Sequence, residues 1–154
     1  MQDDQIYNDN LSFSGADCVC FNLRKTARAV TNLYEQIMQP IGLRATQFTL
    51  LMVLKEIDEA VTISQLADVL VMDRTTLTRD LKPLERIGLL TVTVGADRRT
   101  RCVQLTEAGL QRLAEGLPLW EKAQQQLITQ GIGLAHWQNL RQGLEVVTDI
   151  ARQS

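Results

Sequence analysis

Leu77, Leu81, Leu84 and Ile87 recur at four- and three-residue steps, so the stretch from Asp73 to Gly88 predicts a helix with one apolar stripe. Its other face carries Arg74, Thr75, Thr76, Thr78, Arg79 and Lys82, and no large apolar side chain in the first two turns. Asp73 suits an N-cap and Gly88 a C-terminal stop. Pro83 removes one backbone hydrogen bond late in this helix and predicts a bend there. Short hydroxyls and long cations at the N-terminal end of a capped helix match what a DNA major groove accepts. An ordinary amphipathic surface helix has the same stripe, so the neighbouring elements must decide between the two.

Those neighbours are patterned. Thr62-Ile63-Ser64-Gln65 is a capping box that opens a short helix through Leu66, Ala67, Val69 and Leu70, and Val71-Met72 makes the turn into Asp73. A short helix, a tight turn and a two-faced helix have the spacing of a helix-turn-helix. After Gly88, Leu90–Val94 alternates and is β-branched, Gly95–Thr100 reads as a turn, and Arg101–Leu105 as the return strand. A basic hairpin placed directly after a helix-turn-helix is a wing, able to set arginine in a minor groove or on phosphate.

The flanks are helical. Val19, Leu23, Ala27, Val30, Tyr34 and Ile37 predict a long helix over residues 16–39, closed by Pro40. Thr46 is the expected cap of a second helix reaching Ile57, whose dense apolar run implies burial on more than one side. Thr106 caps a helix that carries Leu110, Leu113, Leu117, Trp120, Leu127 and Ile128 to Gly131, and a last helix spans about 134–152. The end helices are too apolar for a winged domain to cover alone, so a second copy of the chain is expected against them. The fold class is therefore mainly α: a winged helix-turn-helix with a two-stranded β wing and long N- and C-terminal dimerisation helices. Residues 1–15 read as a partly ordered arm, 16–45 and 107–154 as the dimerisation region, and 46–106 as the DNA-binding domain.

Charge sharpens this picture. The chain of 154 residues has a net charge of −2, which argues against a globally basic nucleic-acid binder. Yet Asp73 to Arg101 holds seven cations against four carboxylates, a local +3 on an acidic body. No apolar run approaches the roughly 20 residues of a membrane span, and the acidic start of the chain is unlike a signal peptide. A cytoplasmic location without membrane contact is expected. The single His136 leaves no His-based catalytic arrangement to build, so neither an enzyme, nor a cofactor, nor a metal is expected.

In order and spacing, five segments resemble the MarR family of bacterial transcription regulators. They are Leu66-Ala67, Asp73-Arg74-Thr75-Thr76-Leu77-Thr78, Leu84-Glu85-Arg86-Ile87-Gly88-Leu89, Asp97-Arg98-Arg99-Thr100-Arg101 and Leu105-Thr106-Glu107-Ala108-Gly109. The resemblance implies a winged-helix homodimer on a pseudo-palindromic duplex, a repressor or activator tuned by a small molecule or an oxidant. It implies that Thr75, Thr76, Thr78 and Arg79 enter the major groove, with Arg74 and Lys82 beside them. Asp97 would shape the wing, Arg98 or Arg99 would meet the minor groove, and Thr46, Ser64 and Gln65 would stand at helix starts facing phosphate. The other reading of the same fold is a protein-interaction module without sequence-specific DNA binding.

Cys20-Phe21-Asn22-Leu23 is similar to the cysteine segment of the organic-hydroperoxide-sensing branch of that family, and Tyr34 matches one of the tyrosines that activate its thiolate. The other tyrosine position falls at Ala45, which has no hydroxyl. Helix N-termini favour thiolates, and thiolates oxidise to sulfenic acid and disulfide. Cys18 and Cys20 could alternatively bind a soft metal or arsenite, or pack as small hydrophobes at a dimer interface. An interdomain pocket with Arg24 or Arg28 is the other candidate for effector sensing.

Overall fold

The computed structural model describes residues 15–153, so the arm expected over residues 1–15 lies, apart from Gly15, outside the described residues. The elements run α1 (Val19–Met38), α2 (Ala45–Ile57), β1 (Val61–Thr62), α3 (Ile63–Leu70), α4 (Arg74–Arg86), β2 (Leu90–Val94), β3 (Arg101–Leu105), α5 (Glu107–Gln124) and α6 (Leu134–Arg152). The sheet is antiparallel in the order β1-β3-β2. Beyond the two-stranded wing, Val61 and Thr62 add a third strand by pairing with Val103 and Cys102.

One apolar core joins the elements from α1 to α5. Helix α2 touches α1, α4, α5 and β3, which is why Phe48, Leu50, Leu51 and Leu54 are all buried although they do not share one face. Leu77, Leu81 and Leu84 of α4 are fully buried as the stripe predicts, each contributing about 1.5–3 kcal/mol by leaving water. Ile87 departs from the stripe and is exposed, because α4 ends at Arg86 and Ile87, with φ −90° and ψ 6°, leaves the helical register. The helix itself runs continuously through Pro83.

Two helix starts differ from the sequence expectation. Helix α1 begins at Val19, and Cys18 is its N-cap, with Sγ accepting the Phe21 N–H at 3.4 Å. Helix α2 begins at Ala45 with Arg44, and not Thr46, as N-cap. Gln47 Oε1 accepts the Arg44 N–H at 2.9 Å, and Glu35 Oε1 reaches over from α1 to accept the Ala45 N–H at 3.1 Å. That second partner is tertiary and leaves no local signature. The capping box of α3 is as expected, with Gln65 Oε1 accepting from the Thr62 N–H and Thr62 Oγ1 accepting from the Gln65 N–H.

The turn between α3 and α4 closes with Val71 in the left-handed region, φ +53°, and its N–H donating to the Asp68 carbonyl while that of Met72 donates to Ala67. A β-branched residue is disfavoured there by roughly 1–2 kcal/mol. Because Val71 is exposed, it recovers little by burial. Val71→Gly is therefore expected to raise stability by about 1 kcal/mol, offset partly by the entropy of glycine in the unfolded chain. Urea denaturation measures this, and a lower midpoint in the variant would refute the strain assigned to this turn.

At the base of the wing, α4 and α5 are fastened together. Gly88, φ +77°, ends the α4 segment, and Thr106 Oγ1 donates to its carbonyl at 2.6 Å. The Thr106 N–H donates to the Leu89 carbonyl at 3.2 Å, and Thr106 Oγ1 accepts the Gly109 N–H at 3.1 Å as the cap of α5. Gly109 lies so close to Leu89 that a Cβ would run into that residue's carbonyl oxygen. Thus Glu85-Arg86-Ile87-Gly88-Leu89 and Thr106-Glu107-Ala108-Gly109 are two halves of one joint.

Helix α5 was expected to reach Gly131. It instead widens into a π-helical segment at Gln125–Ile132, with Gly131 at φ −100°, ψ −106° and Gly133 at φ +83° before α6. Among the described residues, helix α6 buries no residue within the chain. Leu134, Leu140, Val146, Val147 and Ile150, together with Val19, Phe21 and Leu23 of α1, are exposed.

Candidate nucleic-acid interface

Helices α3 and α4 and the wing enclose an open groove of about 630 Å³, lined by Thr62, Ile63, Ser64, Arg74, Thr75, Thr78, Arg79, Lys82, Arg99, Thr100 and Arg101. Five of these are cations and none is a carboxylate, so the groove carries the local positive charge read from the sequence. The apolar stripe of α4 fixes which side chains can be there. With Leu77, Leu81 and Leu84 turned into the core, Arg74, Thr75, Thr78, Arg79 and Lys82 share the outward face.

The site is held by local bonds. Asp73 caps α4, accepting the Thr76 N–H at 2.9 Å. Hydrogen bonds from the Thr76 side chain and backbone hold the Asp73 carboxyl below the usual carboxylate range. Arg74 Nη1 donates to Ser64 Oγ at 3.1 Å, tying the start of α4 to α3. Thr78 Oγ1 donates to the Arg74 carbonyl at 2.6 Å, so its donor is used within the helix. In the wing, Asp97 Oδ1 accepts the Arg99 N–H at 3.0 Å, and the Asp97 carbonyl accepts from the N–H and hydroxyl of Thr100. The tip therefore has a fixed shape, with Arg98 and Arg99 exposed.

The structure brings together Ser64, Arg74, Thr75, Thr78, Arg79, Lys82 and Arg99. Five residues of the expected set stand apart from that lining, of which Asp97 and Arg98 belong to the wing tip just described. Thr76 is half-buried and engaged with Asp73. The Gln65 side-chain oxygen is occupied by the α3 capping box. Thr46 lies on α2 and lines a different cavity. Sequence reasoning passed over Thr62, Thr100 and Arg101 as groove residues. For Arg101 a signal existed, since it occupies an apolar-phase position of the alternating strand Arg101-Cys102-Val103-Gln104-Leu105.

The second cavity, about 280 Å³, lies among α1, α2 and α5 and is lined by Val30, Thr31, Tyr34, Ala45, Thr46, Thr49 and Trp120. Tyr34 donates its hydroxyl to Gln124 Oε1 at 2.8 Å, and burial raises its pKa, which keeps it a donor near neutral pH. Arg24 and Arg28 are exposed and line neither cavity. Cys18 and Cys20 are both exposed free thiols. The structure does not bring Tyr34 to them within one chain, since fourteen residues of α1 from Cys20 span about 21 Å at about 1.5 Å per residue. Among the described residues no three of His, Cys, Asp or Glu converge as a metal site requires, and no single helix is long and apolar enough to cross a membrane.

A helix-turn-helix whose second helix and wing share one cation-lined groove defines a winged-helix protein of the DNA-binding type. The sequence profile of the MarR family matches residues 41–100. The M. tuberculosis transcriptional regulator MosR, in complex with DNA, superposes with a TM-score of 0.80 at 34% identity, over 88% of this chain and 97% of that one. A second MosR structure gives 0.78 at 30% identity, over 92% and 100%. The organic hydroperoxide resistance transcriptional regulator of Bacillus subtilis (strain 168) is 32% identical over 92 residues, and that match spans 59% of this chain and 62% of the relative. The chain belongs to the MarR family of transcriptional regulators.

Proposed function

We propose that this chain is a homodimeric, sequence-specific repressor that binds a pseudo-palindromic duplex, and that thiol oxidation or a small molecule lowers its affinity. The observation that carries the reading is the groove between α4 and the wing, lined among the described residues by five cations and no carboxylate. On this reading Thr75, Thr78 and Arg79 face base edges, Arg74, Lys82 and Ser64 face phosphate, and Arg98 or Arg99 enters the minor groove on a tip shaped by Asp97. Residues 46–106 form the DNA-binding unit. Residues 16–45 and 107–154 join two copies through the exposed apolar side chains of α1 and α6.

Two sensing routes fit the chain. The Bacillus subtilis relative is named for organic hydroperoxide resistance, and here two exposed thiols stand two residues apart at the start of α1. An organic hydroperoxide would oxidise one thiol to sulfenic acid and leave as the alcohol. The second thiol would then condense with the sulfenic acid to a disulfide, releasing water. Cys18 lies outside the helix as its N-cap, so bridging the pair needs less unwinding than two helical positions would. The other route is an effector in the cavity beside Tyr34 and Trp120.

Titration of the purified protein onto its own upstream DNA tests the reading. Saturation is expected at two chains per duplex site. Cumene hydroperoxide should release the DNA, dithiothreitol should restore it, and Cys18→Ser or Cys20→Ser should abolish the response. Binding at one chain per site would refute the dimer. Tight binding indifferent to the oxidant would remove the thiols and leave the cavity as the sensor.

A further inference from the structure

The β2–β3 register pairs Leu90 with Leu105, Val92 with Val103 and Val94 with Arg101, and residues directly opposite one another share a face. This inner face starts in the core, with Leu90 and Val103 buried, and ends in the open at Val94 and Arg101. Arg101 is thus a cation in the register of apolar residues, one pair beyond the edge of the core. Charges in such positions often protect a sheet edge, but β3 is the central strand of the sheet. Its position is explained by what it lines, since Arg101 borders the groove together with Arg79 and Lys82 of α4. Arg101 Nη1 donates to the Arg98 carbonyl at 3.3 Å, and among the described residues no carboxylate forms an ion pair with it.

We propose that Arg101 grips the sugar–phosphate strand that separates the major groove entered by α4 from the minor groove met by Arg99. The inference rests on the DNA-binding reading above and gives a role to the one groove cation to which that reading assigns none. A helix in one groove and a wing tip in the next must straddle one backbone strand, and the cleft between them is where that strand lies. Of the cleft's walls, α4 presents Lys82, and the wing presents Arg101. The guanidinium suits phosphate because its planar fork can bond two oxygens while one donor stays on the Arg98 carbonyl. A phosphate contact carries no sequence information, so Arg101 should strengthen binding to every duplex alike.

The test uses the full chain with Arg101→Met, which keeps much of the length of the stem, and Arg101→Lys, which keeps the charge. Arg101→Gln serves in place of the Met variant if melting shows that variant unfolded. Binding is measured across a salt series on the upstream duplex and on an unrelated duplex. The neutral variant should lose at least about 5-fold on both duplexes near physiological salt, and its log–log salt slope should fall by roughly 0.9 per chain. The Lys variant should retain the slope. An unchanged slope in the neutral variant, with any loss confined to the upstream duplex, would show that Arg101 only shapes the wing tip and would overturn the proposal. If the parent protein showed no salt-dependent binding to either duplex, the DNA-binding reading would fail first, and this inference with it.

Discussion

Replacing Arg79 and Arg99 together by alanine is expected to weaken binding to the upstream duplex by at least about 30-fold, counting roughly 1–3 kcal/mol for each well-made arginine contact. Arg79 projects from the outward face of α4, its side chain 76% exposed and only loosely paired with Asp80 at 3.7 Å. Arg99 stands across the groove on a tip whose backbone Asp97 fixes. The two losses should differ in kind. Arg79→Ala should act most on sequences that place guanine under α4. Arg99→Ala should weaken most duplexes and lower the salt slope, as loss of a charge near phosphate requires. Competition titrations at two salt concentrations separate the two. A double variant that bound within about threefold of the parent would mean that the groove is not where DNA docks. The sequence-based expectation for Thr76 changes on the same ground. Thr76 is engaged with the Asp73 cap and lies outside the groove lining, so we propose that Thr75, on the exposed face and in that lining, reads bases in its place.

Gly109→Ala is expected to cost on the order of 1–3 kcal/mol of stability, although it adds a single methyl group to a helix where alanine is intrinsically favoured. The added Cβ would meet the Leu89 carbonyl oxygen. That oxygen is backbone, and it already accepts the Thr106 N–H. Relief therefore means moving α5 away from the end of α4 and stretching the bonds from Thr106 to Gly88 and Leu89. The melting temperature should fall by several degrees, at roughly 2–4 °C per kcal/mol for a chain of this size. Because the same joint sets the base of the wing, DNA affinity should fall too, even when measured well below the melting point. A variant as stable as the parent would show that α5 does not seat on Leu89 as described.

Much of this molecule was legible in order along the chain. The stripe Leu77, Leu81 and Leu84, the caps Thr62, Asp73 and Thr106, and the alternation of Leu90–Val94 are local signals, each written within one turn or one strand. Local energetics alone favour those elements, so their place in the sequence predicts their place in the fold. The groove was half legible. Its α4 side followed from the stripe, because burying three leucines leaves one face for Arg74, Thr75, Thr78, Arg79 and Lys82. Thr76 fell outside it because a 100° step per residue separates neighbours that look equivalent in a list of polar residues.

The sequence by itself determined the course of the helices, the hairpin, the caps of α3, α4 and α5 and the location of positive charge, since each depends on residues within a few positions of one another. Only the tertiary structure decided that Glu35 helps cap α2, that Gly109 seats on Leu89, and that Tyr34 bonds Gln124 across the bundle. It also decided that Arg101 turns into the groove with Arg79. These pairings join residues far apart along the chain, and their geometry is set by how α1, α5 and the wing pack around α2. No local pattern encodes that packing, because many partners would satisfy the same side chain, and only the closed core selects one.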